Sequence, residues 1–315
     1  MPPIIGTEKI LSPLQRSSLN KKGLCDYVVN VASGCLHGCT FCYVPSTPTI
    51  RTRQPHFHEN GIQNPQMDWG QYLLIRDQLP IQLDEQVRRK RTWKVTESGK
   101  GVVLLCSGTD PYQNLRVSKI ARQSIQALTN HGKRVRILTR SPLYLNDLDL
   151  LVHPKVTVGM SLPHLDDDLS RKIEPNAPLP SDRLKSLHKA KQAGCRIYVA
   201  IAPTPPDMEK DDFSKHLEKL LALEPEVLFW EPINARGSNG KRMLSAGLDF
   251  SSAVMNYRDW AVNFMKQWET IEKVATELGC LDILHIWPDP ALKKFVGDEK
   301  IVPWLYRPTV EKWDD

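Results

Sequence analysis

Six short apolar runs rich in β-branched residues punctuate the chain: Tyr27–Ala32, Val102–Cys106, Val135–Leu138, Val156–Met160, Ile197–Ala202 and Val227–Trp230. Near-continuous hydrophobicity, rather than alternation, suits strands buried on both faces of a parallel sheet. Helix-like stretches separate the runs. In one, Ser181 after Pro180 is the expected N-cap, Leu184, Leu187 and Lys191 share a face, and Gly194 supplies the stop. Residues 116–131 read similarly and end at His131-Gly132. The longest predicted helix runs from about Ser252 to Leu278. Along it Val254, Tyr257, Ala261, Phe264, Trp268, Ile271, Ala275 and Leu278 alternate gaps of three and four, which predicts a core-facing stripe.

Alternating strands and helices predict an α/β protein. Six βα units predict a partial (β/α)6 TIM-type barrel with parallel strands, plus an N-terminal arm and a C-terminal helical extension. The expected division is residues 1–26 as arm, 27–240 as barrel core, and 241–315 as a C-terminal helix and tail packed on that core. Ile283–Ile286 is a further short strand candidate. The polar segment from Tyr43 to about Asp68 reads as a long loop, a kind of segment that is usually functional or mobile.

Composition adds little to this pattern. The 315 residues are 41% hydrophobic and 25% charged, as in ordinary globular proteins. No apolar stretch approaches the roughly 20 residues that span a bilayer, so no membrane segment is expected. The first residues lack the charged start and apolar core of a secretory signal. A reducing, cytoplasmic location is the expectation. The net charge of +6 is mild, but basic residues cluster at Arg51/Arg53, Arg88–Arg91 and Lys133–Arg136. Such clusters either neutralise phosphates or form solvated faces near helix ends.

The seven cysteines are an odd number, and with no signal sequence they do not suggest a disulfide framework. Three fall together, directly after the first apolar run, in Gly34-Cys35-Leu36-His37-Gly38-Cys39-Thr40-Phe41-Cys42-Tyr43. Gaps of four and three let one tight loop aim three sulfurs at a single object. Iron–sulfur clusters take thiolate ligands, usually four. Three thiolates suit a [4Fe-4S] cluster with one iron left open. Zinc with His37 as fourth ligand is the alternative donor set, although no second Cys or His knuckle accompanies it.

Every predicted strand leads into a polar motif. After the cysteine loop come Ser107 to Gln113, Thr139 to Pro142, Ser161 to His164, Pro203 to Pro206 and Glu231 to Gly237. In a parallel barrel these segments share one rim, where active sites are built.

The cysteine spacing, with an aromatic residue before the last cysteine, resembles the radical S-adenosylmethionine (radical SAM) superfamily. Together with Thr109 to Gln113, Leu138 to Ser141, Leu148 to Leu151, Ser161, Arg171 to Pro175 and Glu231 to Gly237 it resembles the spore photoproduct lyase-like branch, over roughly residues 25–240. The resemblance implies that Cys35, Cys39 and Cys42 each hold one iron and that SAM chelates the fourth. An electron from the cluster would then cleave SAM, giving a 5′-deoxyadenosyl radical that takes a hydrogen atom from substrate. It also implies SAM contacts at Thr109, Asp110, Arg140 and Ser161, with Arg140 where relatives usually carry Lys. Tyr43 and Cys106 would line the radical's path as catalytic residues. A nucleic acid is the implied substrate and an external flavodoxin- or ferredoxin-type protein the implied reductant.

Two departures from the spore enzyme stand out. Phe41 occupies a tyrosine position of its hydrogen-atom relay, and Ser107 rather than Cys106 aligns with its donor cysteine. Cys106 is therefore either a shifted relay residue or a buried core thiol. Asp110 is alternatively a turn former, and Arg140 alternatively a surface charge. Radical chemistry on a small molecule or peptide, and a non-catalytic iron–sulfur or zinc redox sensor, are the other readings. Cys195 and Cys280 read as core, and His37, His56 and His58 as cluster-tuning, substrate-binding or simply polar.

Overall fold

The computed structural model describes residues 2–234 and 236–313. Six apolar runs form the expected parallel strands: β1 (Tyr27–Val29), β2 (Val103–Leu105), β3 (Val135–Thr139), β4 (Val156–Ser161), β5 (Arg196–Thr204) and β6 (Leu228–Pro232). Each pairs in parallel with the next in that order. The tail strand β7 (Leu284–Ile286) extends the series, parallel to β6. At the opposite edge Gln15–Arg16 pairs antiparallel with β1. The fold is an open α/β barrel of the partial TIM type, with all the parallel strands ending on one rim.

Both faces of the strands are buried, which explains their unbroken hydrophobicity. Outward residues such as Val29, Leu105, Ile137, Val158, Ile197 and Trp230 join the large core under the helices. Inward residues Val28, Leu104, Tyr198, Phe229 and Trp287 fill the barrel. Tyr198 lies across Gly159, where an added Cβ would sit 2.0 Å from its ring. At the barrel floor, the end opposite the rim, Arg136 is buried; it donates to the carbonyls of Gly23 and Leu24 and to the Glu311 carboxylate.

Four of the helices carry the outer layer most visibly: α1 (Leu79–Arg89), α2 (Leu115–Asn130), α3 (Pro180–Gln192) and α4 (Lys210–Leu221). Asn114 caps α2 through its side chain, which accepts from the Val117 N–H. Ser181 does not cap α3 as expected. Leu179 occupies that place, and Ser181 turns its N–H and hydroxyl to the Asp167 carboxylate. The long C-terminal helix is split. Asn256 breaks it and caps α5 (Tyr257–Glu277) by accepting from Arg258 N–H. Its stripe faces the core as predicted, with Ala261, Phe264, Trp268, Ile271 and Ala275 buried and Tyr257 exposed. Burying Phe264 alone contributes about 1.5–3 kcal/mol.

The N-terminal arm is more than an extended strap. Ile4–Thr7 pairs with Tyr72–Ile75, which also pairs with Ala32–Gly34, making a separate three-stranded sheet. The first apolar run is therefore two strands. They part at Asn30, whose side-chain oxygen accepts the N–H groups of Ser107 and Gly108 at 2.9 and 2.7 Å. Residues 43–68 are not one open loop, because Val44–Ser46, Pro48–Arg51 and Gln54–Glu59 form helical turns. No helix among the described residues is long and apolar enough to cross a membrane.

Candidate active site

The cysteine loop leaves the small sheet at Gly34, where φ is +91° and an added Cβ would lie 2.4 Å from the Tyr72 carbonyl oxygen. Only glycine makes that turn without strain. From there the loop crosses the barrel rim, held by its neighbours along most of its length. Thr109 donates its hydroxyl to Gly34 O at 2.5 Å, and Gln113 accepts the Leu36 N–H at 2.7 Å. The Asn176 side chain donates to Leu36 O, and Ile173 O accepts the Thr40 N–H. The short helix Asn239–Ser245 clamps the far half. Asn239 donates to Phe41 O at 3.1 Å, while Arg242 donates to the carbonyls of Thr40, Cys42 and Gln66.

This anchoring brings Cys35, Cys39 and Cys42 to one cavity of about 170 Å3 at the rim. Tyr43, Cys106, Thr109, Asp110, Arg140 and Ser161 line the same cavity, so it gathers the expected cluster ligands, SAM contacts and catalytic residues, while His56 and His58 lie outside its lining. Burial pushes the Cys39 thiol up to about 12, and Cys35 and Cys42 upward as well. Cys35 accepts from the His37 N–H, and Cys42 from the Val44 N–H and the Trp69 indole. Hydrogen bonds of this kind to sulfur are the ones that tune iron–sulfur clusters. Among the described residues no three His, Cys, Asp or Glu side chains gather tightly enough to grip a single ion. Cys35, Cys39 and Cys42 line one cavity, a thiolate donor set of the kind iron–sulfur clusters take. His37 Nδ1 faces Asp110 Oδ2 at 3.5 Å.

Arg140 follows β3 with its guanidinium at the cavity. Its Nε donates to Glu174 Oε1 at 2.6 Å, and no hydrogen bond among the described residues engages its two terminal amino groups. Glu174 is buried and shared with Arg183, 2.7 Å from its other oxygen. Burial opposes its ionisation, yet Arg183 and Arg140 hold the carboxyl down at about 2. Arg140 is thus oriented side-on by Glu174, leaving its end-on pair of donors for a carboxylate. Ser161 is buried, and its hydroxyl makes no hydrogen bond among the described residues.

Thr109 and Asp110 line the cavity, but their polar atoms are already engaged. Asp110 accepts from Tyr112 N–H, the Thr139 hydroxyl and Arg140 N–H at 2.7–2.8 Å, tying the end of β2 to that of β3. Thr109 pins the cysteine loop. Both build the site from behind, whatever else they touch. Cys106 is buried, with its thiol pushed up to about 12 by burial, and still borders the cavity. Tyr43 is about 41% exposed at the mouth. Across the cavity the Glu231 carboxylate accepts from Lys22 Nζ at 2.6 Å and from Asn234. Ala235 of the sixth rim motif lies outside the described residues.

The basic clusters do not converge on this mouth. Arg53, with Arg76 and His56, is drawn to the buried Glu8 carboxylate. Arg136 lies under the barrel, and Arg88 and Arg89 are exposed at the end of α1. Cys25, Cys195 and Cys280 are buried, as core residues are. Sequence reading missed Glu174, Arg183, Asn239, Arg242 and Trp69. For Glu174 a signal existed, since it lies inside the motif Arg171 to Pro175.

Comparisons with known proteins agree with this geometry. The model of the Radical SAM superfamily matches residues 29–220. An uncharacterized protein of Acidianus two-tailed virus is 32% identical over 248 residues, covering 76% of this chain and 77% of its own length. An uncharacterized Mycobacterium tuberculosis protein is 30% identical over 200 residues, covering 62% of this chain and 54% of its own, so the match takes in about half of that relative. Among solved structures, spore photoproduct lyase with bound AdoMet and dinucleoside spore photoproduct superposes with a TM-score of 0.61 at 13% identity, covering 90% of this chain and 80% of that one. Streptococcus suis SuiB bound to precursor peptide SuiA gives 0.54 at 10% identity, covering 95% and 52%. At these identities the likeness is one of fold.

Proposed function

We propose that this chain, which belongs to the Radical SAM superfamily, is an enzyme that cleaves S-adenosylmethionine reductively and takes a hydrogen atom from a substrate. Membership implies SAM and an iron–sulfur cluster. The observation that carries the proposal is the one rim cavity lined by the three loop cysteines, by Arg140 with its open end and by Ser161 with its free hydroxyl. In this reading Cys35, Cys39 and Cys42 hold a [4Fe-4S] cluster, which when bound supplies the electron that splits SAM. Arg140 binds the SAM carboxylate end-on, Ser161 bonds its ribose or methionine end, and Thr109 and Asp110 fix the wall behind it. Tyr43 and Cys106 border the path between SAM and substrate. Residues 27–240 carry this core, with 1–26 and 241–315 packed on it. A flavodoxin- or ferredoxin-type protein provides the electron, in a reducing cytoplasm that keeps the free cysteines reduced.

The test is direct. Anaerobic protein reconstituted with iron and sulfide, given SAM and a strong reductant, releases 5′-deoxyadenosine, and the triple variant Cys35→Ala, Cys39→Ala, Cys42→Ala releases none. A cluster-loaded protein that makes no 5′-deoxyadenosine refutes the reading.

For the substrate, a nucleic acid is the first proposal, supported by the branch motifs and by the fold shared with a lyase that holds a dinucleoside lesion. A small molecule or peptide is the second. It is favoured by the inward engagement of Arg53 and Arg136, which leaves these cluster residues turned away from the mouth. DNA and RNA binding that weakens steeply with salt supports the first. No binding, with 5′-deoxyadenosine coupled to a mass change in an added small molecule or peptide, supports the second.

A further inference from the structure

Arg242 is a buried cation with an unusual set of partners. Its Nε donates to Thr40 O at 3.2 Å, one terminal amino group to Gln66 O at 2.7 Å, and the other to Cys42 O. All three acceptors are neutral carbonyls, and no carboxylate pairs with it among the described residues. Its ionisable neighbours are Cys42, Tyr72 and Cys39, which burial keeps protonated and uncharged. An arginine held in the interior without a counter-charge is costly, so its placement against the cysteine loop calls for a negative partner that arrives there.

We propose that Arg242 is the counter-charge of the iron–sulfur cluster at its Cys42 corner, holding that corner and making reduction of the cluster easier. The inference rests on the cluster reading above. The charges around the loop are uneven. The Cys35 side faces the Asp110 carboxylate, and the Cys39 side faces Glu174, which Arg140 and Arg183 more than neutralise. At Cys42 the strongest-acting cation is Arg242, ahead of Arg140, and it belongs to the segment beyond the sixth strand. Three thiolates leave a [4Fe-4S] cluster negative, and each added electron makes it more so. A fixed positive charge in a poorly solvated site therefore favours the reduced state, since net charge and burial set cluster potentials.

The experiment compares wild type with R242K and R242Q after anaerobic reconstitution, without SAM or substrate. Iron and sulfide are counted, and the midpoint potential is read by electron paramagnetic resonance during titration with dithionite. R242Q should lose about tenfold in the reduction equilibrium, a shift of about 59 mV to more negative potential for one electron. R242K should keep the potential closer to wild type while retaining less iron, because an ammonium cannot span three carbonyls. An R242Q protein that folds by circular dichroism but holds no iron, where R242K holds it, is the same result in stronger form. Equal potentials in wild type and R242Q at full iron overturn the inference, as do equal shifts in both variants. A wild type that takes up no iron instead overturns the cluster reading itself.

Discussion

Replacing Glu174 by Gln removes the carboxylate that binds Arg140 and Arg183 together beneath the cysteine loop. Its carboxyl is held from an ordinary 4.5 down to about 2 in the folded protein, against the opposing effect of burial. That depression corresponds to about 3 kcal/mol of stability at neutral pH. Stranding the buried Arg183 guanidinium beside the half-buried Arg140 points the same way, since breaking a buried pair costs about 3–5 kcal/mol. A carboxylate with a depressed value stabilises the fold above its unfolded value and loses that contribution as pH falls through its folded value. The window here runs from about 4.5 to about 2. Urea unfolding of the metal-free protein should therefore show Glu174→Gln weaker by about 3 kcal/mol at pH 7, with the gap closing as pH drops from about 4.5 toward 2. A gap below about 1 kcal/mol at pH 7, the range of an exposed pair, would refute the role assigned to Glu174. So would a gap that stays constant from pH 7 to pH 3.

Two further outcomes follow from the site. Arg140→Ala should bind SAM about 10–100-fold more weakly by equilibrium dialysis, the loss of a charge-assisted contact, while keeping wild-type iron. An unchanged affinity would remove Arg140 from the SAM site. Gly34→Ala should lose about 1–3 kcal/mol in thermal unfolding, from its left-handed backbone and the contact with Tyr72 O. A variant as stable as wild type would show that the turn tolerates a side chain.

How much of this the sequence displayed depends on how local each interaction is. The strands were legible because each is a short hydrophobic run with its own boundaries, and the cysteines because their spacing lies within one loop. The small sheet was not. Its members, Ile4–Thr7, Ala32–Gly34 and Tyr72–Ile75, are three or four residues each and far apart in the chain. Asn30 was the one polar residue in the first apolar run, and it marked the break that reading missed. Arg242 looks like an ordinary surface charge in the sequence, and Glu174 is marked only by lying inside the motif Arg171 to Pro175. Only the folded chain brings Arg242 to carbonyls 200 positions away. Asp110 was found for its position, yet its carboxylate joins two strand ends, an arrangement that depends on β3 as much as on its own motif.

The Arg136–Glu311 pair under the barrel has a consequence for biogenesis. During translation the seven parallel strands leave the ribosome well before the carboxylate that meets Arg136. Until then that guanidinium has only carbonyls to bond and the floor stays open to water. A nascent chain stalled short of residue 311 should thus remain a protease-sensitive intermediate, and the segment matching the superfamily should not be separable as an autonomous folding unit.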